Sequence, residues 1–363
     1  MLFRRYVQDR SLFKQFTSVS KTISGSRSHS GGYALVSASR FASLGCDVLL
    51  AAELESSTIA KLDPAIQLTG KAVEEDDVHL VLEFKTGEYW GKYVSKRANR
   101  FIVNSDVHTP YLKPIEQLEK DLVSFAPKLL TVGGLQMLDT FPFQAGEREQ
   151  RIKKLGMFLQ KTPKNVLKHL ELGSYTDDSF FKDLIKKLVP WSDSLGMNEQ
   201  ELNNFHSVLK FGNTSFVANS MPRVGRILDS MREVFKLLDE SGVHKLSRLH
   251  LHTLAFQAII IKQGSPWKNT MAAAAKAALM ANRHVCGSSY IDLEKSVLVM
   301  DDSFSVSIEP GSKRIPLQPK KPVSCWQEGH FDICVAPVLV CTEVYQTAGG
   351  GDNISAAALV VQI

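Results

Sequence analysis

The segment 334–359 constrains the fold of this chain more than any other. An almost continuous apolar run, 334–341, leads to Gly349, Gly350 and Gly351, then to Asp352 and an alanine-rich stretch. The apolar run indicates a strand buried inside a parallel sheet, and the stretch from Asp352 onward indicates a helix. Residues without a Cβ let the backbone approach a ligand, and the N–H groups at a helix start favour an anion. The segment predicts an anion site beside Asp352, although this aspartate could also simply cap the helix.

Strand-like and helix-like runs alternate along most of the chain, which indicates an α/β fold. We expect strands over 129–132, 166–172 and 249–252. The segment 270–282 is rich in alanine, which predicts a buried helix. The region 66–106 holds several short strand patterns with few helical signals, so we expect it to form a small β-rich lid.

Composition excludes some classes of protein. Of 363 residues, 44% are hydrophobic and 22% are charged, as in ordinary soluble domains. The net charge of +5 is too small to indicate nucleic acid as a partner. No apolar run approaches the roughly 20 residues that cross a bilayer. The five cysteines are odd in number and form no CxxC pair, so we expect neither a disulfide framework nor a zinc site.

The first 30 residues form a basic, serine-rich segment whose only acid is Asp9. This composition is typical of a mitochondrial transit peptide. The interpretation we favour is a basic helix of the fold itself, because apolar residues recur at helical spacing; they are Leu12, Phe13, Phe16 and Val19. The compartment stays open: cytoplasmic by default, with the secretory route or the mitochondrion as alternatives.

Two polar segments are candidates for a metal site. Asn198 and Glu201 lie three residues apart at an expected helix start, so they share one face and could organise a hydrated Mg²⁺. The alternative is a helix cap with an acidic first turn. His169 and Glu171 alternate on one face of a strand end, and the carboxylate could join the metal. The alternative is a polar strand end that faces water.

Taken together, the segments HLE, NEQE, HLHT and GGGD follow one another in an order that resembles the ADP-dependent glucokinases of the ribokinase superfamily, above all the eukaryotic branch. The stretches VHLVLEFKTGEYWG, RANRFIVNSD and PVLVCTE match as well. The resemblance extends from about Gly31 to Ile363. It implies a ribokinase-like three-layer sandwich with a mainly parallel central sheet and a lid. The implied division is a basic segment 1–30, a sugar-facing helix and lid 31–106, and a large nucleotide and Mg²⁺ domain 107–363.

The resemblance also implies a reaction, glucose plus ADP giving glucose 6-phosphate plus AMP, in a protein that is a monomer. Asp352 would take the proton from the sugar's 6-hydroxyl, and the three glycines before it would form the anion hole. The cofactor would be Mg²⁺, served by Asn198, Glu201, His169, Glu171 and Asp352. Gly31 and Gly32 would face the sugar, whereas His252 and Thr253 would border the nucleotide.

Three features depart from the family pattern. Only about 30 residues precede Gly31, and none of them has the pattern of the family's opening strand with its sugar-binding aspartate. Tyr33 stands where a small amide is usual, and the glycine loop has one glycine more. Two alternatives therefore stay open: an inactive, truncated paralogue that binds nucleotide, or an ATP-dependent sugar kinase of the same superfamily.

Overall fold

A computed structural model describes residues 3–96, 99–214 and 221–363. The helices in these ranges are α1 Arg10–Thr22, α2 Tyr33–Ser43, α3 Ser56–Ile59, α4 Ile115–Phe125, α5 Glu147–Lys161, α6 Asp178–Leu188, α7 Glu199–Phe211, α8 Val224–Glu240, α9 Thr270–Cys286 and α10 Gly350–Val360. Single turns of 3₁₀ helix cover Thr109–Tyr111, Leu135–Leu138 and Val189–Trp191.

The strands of the same ranges follow in chain order. They are β1 Phe3–Tyr6, β2 Val48–Ala51, β3 Leu54–Glu55, β4 Ile66–Thr69, β5 Ala72–Val73, β6 His79–Phe84, β7 Tyr89–Trp90, β8 Tyr93–Val94, β9 Asn99–Asn104, β10 Leu129–Val132, β11 Leu167–Glu171, β12 Ser194–Asn198, β13 Arg248–His252, β14 Phe256–Lys262, β15 Ser296–Leu298, β16 Ser303–Ser305, β17 Arg314–Pro316, β18 Ser324–Glu328, β19 Phe331–Pro337 and β20 Leu339–Cys341.

The central sheet has the strand order β10-β11-β12-β13-β14-β19-β18. The first four strands are parallel, and β14, β19 and β18 join them through antiparallel pairs. The sheet is thus mixed rather than parallel throughout. The carboxyl ends of the parallel strands lie at one edge, which is where ligands bind in open α/β sheets. Glu171, Asn198 and His252 are the last residues of β11, β12 and β13.

Helices cover both faces of this sheet and make it the middle layer of three. On one face the aromatic side chains of Phe181, Phe205 and Phe235 pack from α6, α7 and α8 into the larger apolar core. The other face is covered by α9 and α10, which contribute mostly alanines, and by Phe41 of α2. Such small side chains let a helix lie close to a sheet, so the alanine-rich segment is a buried helix, as predicted.

The expected parallel strand over 334–341 is wrong in two respects. The chain forms β19, antiparallel to β14 and β18, and then a separate short strand β20 that pairs with β15. Pro337, the last residue of β19, has no N–H to continue the ladder. A strand that is buried on both faces shows the same apolar run whether it is parallel or antiparallel to its neighbours. The sequence could therefore not predict the direction of β19.

The N-terminal segment belongs to the fold. Asp9 caps α1 by accepting a hydrogen bond from Leu12 N at 3.0 Å, and Phe13 is buried. A strand nevertheless precedes Gly31, because β1 pairs in parallel with β9. This strand joins the three-stranded sheet β1-β9-β6 of the lid region rather than the central sheet. Within the described part of the chain, no helix is both long and apolar enough to cross a lipid bilayer.

The expectation of no disulfides is also wrong. Cys286 at the end of α9 is bonded to Cys341 at the end of β20, and Cys325 is bonded to Cys334 across the β18–β19 pair. Cys46 is the free thiol. An odd count leaves one cysteine unpaired without excluding pairs among the others, and the register that brings them together is not visible in their spacing.

We expect the two disulfides to contribute unequally to stability. The Cys286–Cys341 bond closes a separation of 55 residues and the Cys325–Cys334 bond one of 9 residues. Loop-closure entropy predicts losses of about 4 and about 2.6 kcal/mol when each is removed. Thermal unfolding of the two double Cys→Ala variants measures this. A larger loss for the Cys325/Cys334 variant would contradict the chain-entropy account.

Candidate active site

Glu171 is the centre of a buried hydrogen-bonded cluster at the carboxyl edge of the sheet. Its Oε2 lies 2.9 Å from His169 Nε2, and its Oε1 lies 3.1 Å from His252 Nε2. Burial opposes ionisation, but the two imidazoles hold the pKa of Glu171 well below its usual range. The pKa of His169 is lowered by burial, so this ring is neutral and donates its Nε2–H to an ionised carboxylate.

Gly196 of β12 makes room for this cluster. β12 lies between β11 and β13, and Gly196 pairs with both Glu171 and His250. A Cβ at Gly196 would overlap Glu171 Oε2 and would lie 2.9 Å from His169 Cε1. A side chain at this position would therefore displace the carboxylate from its two imidazoles.

Asn198 and Glu201 form a capping box at the start of α7. Asn198 Oδ1 accepts hydrogen bonds from the N–H groups of Gln200 and Glu201 at 2.9 Å each, and the Glu201 carboxylate accepts from Asn198 N at 2.9 Å. Burial raises the pKa of Glu201 to about 7, with the charges of Glu171 and Glu199 adding to the effect. The cap predicted from the sequence thus exists, and it holds Glu201 next to two further carboxylates.

The glycine loop lies against the same cluster. α10 begins at Gly350, with Gly349 at its N-cap. A Cβ at Gly351 would lie 2.9 Å from His252 Cε1, so a glycine is needed for the helix start to approach this imidazole. The glycine loop and the His252–Glu171 pair, which are far apart in sequence, therefore meet at one place.

Asp352 lies in the first turn of α10, where helix N–H groups have no intrahelical acceptor. Burial raises the pKa of Asp352 to about 6, and the charge of Glu171 acts in the same direction. His252 and Arg100 partly offset this by favouring the ionised form. The result is a carboxylate that is ionised at neutral pH and can accept a proton.

Side chains from α2, α9 and α10 fix the glycine loop. His284 Nε2 lies 2.8 Å from Ala348 O, and Asn353 Nδ2 donates to Gly349 O at 2.8 Å. Arg40 Nε donates in turn to Asn353 Oδ1 at 2.7 Å. None of these residues was a sequence candidate: His284 and Arg40 belong to no motif, and Asn353 was not singled out although it directly follows Asp352.

The lid sheet reaches the loop through Arg100 of β9. Arg100 Nη1 donates to Thr347 Oγ1 at 3.2 Å, and this hydroxyl donates to Glu83 Oε1 of β6, also at 3.2 Å. Arg100 also interacts electrostatically with Asp352. The sequence analysis did not identify Arg100, although it lies in the matching stretch RANRFIVNSD.

The other candidates occupy different surroundings. Gly32 is the N-cap of α2, and a Cβ at Gly31 or Gly32 would have open space around it. Tyr33 is buried, and its ring lies against Gly133 just after β10. A Cβ at Gly133 would lie only 2.6 Å from Tyr33 Cγ. The phenol thus fills space beside the first parallel strand. Thr253 Oγ1 donates to Phe256 O and so holds the turn between β13 and β14.

The arrangement suits phosphoryl transfer. A buried carboxylate, a helix start with free N–H groups and a group of acidic side chains meet at the strand ends. No three His, Cys, Asp or Glu side chains converge as ligands of one metal ion within residues 3–96, 99–214 and 221–363. Mg²⁺ commonly takes only one or two carboxylates and completes its shell with water and phosphate oxygens.

Comparison with protein families identifies the family of this chain. The conserved region of the ADP-specific phosphofructokinases and glucokinases matches residues 4–361. The chain belongs to this family. It is accordingly a sugar kinase, and the match includes the N-terminal strand and helix as well as the segments that the sequence analysis singled out.

Individual relatives agree with this placement. The ADP-dependent glucokinase of Bos taurus is 30% identical over 362 residues, which cover 98% of this chain and 72% of the relative. A probable ADP-dependent glucokinase of Caenorhabditis elegans is 28% identical over 372 residues, covering 98% and 73%. The ADP-specific phosphofructokinase of Thermococcus litoralis is 24% identical, covering 79% of this chain and 64% of the relative.

The solved structures confirm the ribokinase-like α/β fold. An ADP-dependent kinase in complex with fructose 6-phosphate and ADPβS superposes with a TM-score of 0.72 at 18% identity, covering 99% of this chain and 85% of the other. A phosphofructokinase from Pyrococcus horikoshii OT3 with AMP gives a TM-score of 0.62 at 17% identity, covering 99% and 83%.

We expect Gly196→Ala to abolish most of the activity of this kinase. The added methyl group would displace Glu171 from His169 and His252, and a misplacement of about 1 Å can cost on the order of 100-fold in rate. Steady-state kinetics of the purified variant measures the effect.

Gly156→Ala in α5 is the matched control. Its Cβ would lie 2.8 Å from Lys187 O, a tight contact in the helical layer outside the cluster. This variant should lose stability but keep its turnover once folded. Equal turnover losses in the two variants would contradict the specific role of Gly196.

Proposed function

We propose that the chain transfers the β-phosphoryl group of ADP to the 6-hydroxyl of glucose, giving glucose 6-phosphate and AMP. The observation that supports this most strongly is the place of Asp352, a buried carboxylate with a pKa of about 6 in the first turn of α10. Such a pKa suits a general base at neutral pH, since the group is ionised yet binds a proton readily. Asp352 would accept the proton of the attacking hydroxyl.

The backbone of the glycine loop would stabilise the group in transfer. Gly349, Gly350 and Gly351 present no side chains, and the N–H groups that follow carry the positive end of the α10 dipole. Phosphoryl transfer depends mainly on positioning and charge stabilisation. We assign the anion hole to these residues because they share the helix start with Asp352.

Mg²⁺ is the cofactor we infer, and the acidic side chains fit it. Glu201 and Glu171 are buried oxygen donors, and burial together with the charge of Glu171 raises the pKa of Glu201. We place the ion beside these two carboxylates, with Asn198 shaping the site through the helix cap and Asp352 nearby. When bound, Mg²⁺ neutralises charge on the nucleotide phosphates. Both lone pairs of Asn198 Oδ1 already accept N–H groups, so we give it no direct bond to the ion.

The names of two relatives favour glucose and ADP as the substrates. The relatives that cover nearly the whole chain, from cattle and from the nematode, are glucokinases by name. The lid residues Arg100 and Glu83 join the loop before Asp352, so the lid could close over a sugar held at Gly31 and Gly32. His252 would lie between the nucleotide and the carboxylate cluster.

We expect Asp352→Asn to lower kcat by about 10²- to 10⁴-fold, the usual contribution of a general base. The amide keeps the shape of the carboxylate but cannot take the proton. Glucose-dependent release of AMP from ADP and Mg²⁺ measures this. Asp332→Asn on β19 is the control, because Asp332 bonds only to Gln263 among the side-chain contacts of the described residues.

Undiminished AMP release by Asp352→Asn would remove Asp352 as the base. If the folded wild-type chain binds ADP but releases no AMP with glucose, the chain is an inactive paralogue instead.

A nucleotide and sugar panel tests the specificity. We expect ADP to support phosphorylation of glucose and ATP to support at least tenfold less, a difference of about 1.4 kcal/mol in transition-state binding. Fructose 6-phosphate should be the poorer acceptor. Equal rates with ATP would favour an ATP-dependent sugar kinase, and a preference for fructose 6-phosphate would make the chain a phosphofructokinase.

We infer that the chain folds in an oxidising compartment. Four of its five cysteines form two disulfides, and such bonds persist mainly along the secretory route. Of the compartments considered above, this route fits best.

A further inference from the structure

A fully buried guanidinium lies behind the catalytic cluster. Arg248 of β13 has no exposed surface; its Nε donates to Gln362 Oε1 at 2.6 Å and its Nη1 donates to Ser194 Oγ at 2.8 Å. The ring of Trp267 lies 5.4 Å from its Cζ. No acidic side chain of the described ranges forms an ion pair with it. A buried cation without a counter-ion is costly, so its position calls for an explanation.

Ser194 connects this cation to the active site. It belongs to β12 and is fully buried, and its Oγ lies 2.9 Å from His169 Nδ1. His169 contacts Glu171 Oε2 through its other nitrogen at 2.9 Å. One line of hydrogen bonds therefore runs across three strands, from Arg248 through Ser194 and His169 to Glu171.

The direction of each bond follows from the donors available. A guanidinium can only donate, so Arg248 gives a proton to Ser194 Oγ. An ionised carboxylate can only accept, so His169 must carry its proton on Nε2. A neutral imidazole has one N–H, which leaves Nδ1 as an acceptor. The hydroxyl proton of Ser194 therefore points to Nδ1, and every link donates toward Glu171.

We propose that Arg248 and Ser194 are positioning residues that hold His169 in one tautomer and one ring orientation, and through it fix the Glu171 carboxylate against His252. Both nitrogens of His169 are bonded in this arrangement, so the ring can neither rotate nor exchange its tautomer. The hydrogen bonds do not depend on the proposed function, whereas the expected effect on kcat rests on it.

Ser194→Ala tests the proposal with a minimal change, since it removes one oxygen atom. The full chain, labelled with ¹⁵N-histidine, is studied by long-range ¹H–¹⁵N NMR without substrate. In the wild type we expect His169 to be protonated on Nε2, with Nδ1 showing the shift of a hydrogen-bonded acceptor. In Ser194→Ala that shift should disappear, and the Nε2 proton should exchange faster with water.

Turnover provides the second readout. At metal sites, loss of an outer-shell hydrogen bond that orients a ligating side chain typically lowers activity by about 10- to 100-fold. We expect Ser194→Ala to lower kcat by this factor and to leave KM for ADP within about twofold, because the ring is misplaced while the nucleotide contacts remain. Ser194→Cys keeps a weak donor and should recover part of the loss.

Ser192→Ala is the matched control. Ser192 is also buried, but its hydroxyl donates to Leu188 O at 3.1 Å, outside the line of bonds. This variant should leave the His169 spectrum and kcat unchanged.

Two results would overturn the proposal: a wild-type His169 protonated on Nδ1, or a His169 spectrum that is the same in Ser194→Ala as in the wild type. The spectra need no turnover, so they decide the matter even if the chain does not phosphorylate glucose. With turnover present, equal kcat values for Ser194→Ala and Ser192→Ala would also contradict it.

Discussion

The carboxylate of Glu171 lies between two imidazoles, one from His169 on its own strand and one from His252 two strands away. A buried carboxylate that lost one of these partners would be destabilised by several kcal/mol or would take up a proton. The two histidine contacts of Glu171 form only if β11, β12 and β13 keep their register, since Gly196 has to face the carboxylate. The four parallel strands are thus the part of the fold on which the site depends.

The helix layer formed by α9 and α10 on one face of the central sheet brings the glycine loop to the Glu171 carboxylate. α9 and α10 pack through alanines, and Gly351 lies directly against His252. The start of α10 can therefore approach the strand ends, where the charges of Asp352 and Glu171 interact. Burial raises the pKa values of Asp352 and Glu201, and the negative charge of Glu171 adds to both shifts. A bound cation would relieve the repulsion that Glu171 exerts on Asp352 and Glu201. We therefore propose the Mg²⁺ site and the anion hole side by side.

The sequence predicted helices and strands well where their local pattern is distinctive. The strand 129–132, the helix around 270–282 and the helix after the glycine loop all formed, because periodicity and small residues act locally. The direction of β19, the strand β1 and the two disulfides escaped prediction, since each depends on pairing between distant segments. For the same reason the motifs pointed to Glu171 and Asp352, whereas Arg100, His284 and Arg248 became visible only through their contacts.

A crystal structure of the chain with glucose, AMP and Mg²⁺ would test the central claim most directly, that Asp352 is the base beside the anion hole. The decisive distance is that between an Asp352 carboxylate oxygen and the 6-hydroxyl oxygen of glucose. The account predicts a hydrogen bond of about 2.6–3.2 Å, with the hydroxyl facing the start of α10. A 6-hydroxyl held by another carboxylate, with Asp352 out of reach, would contradict it.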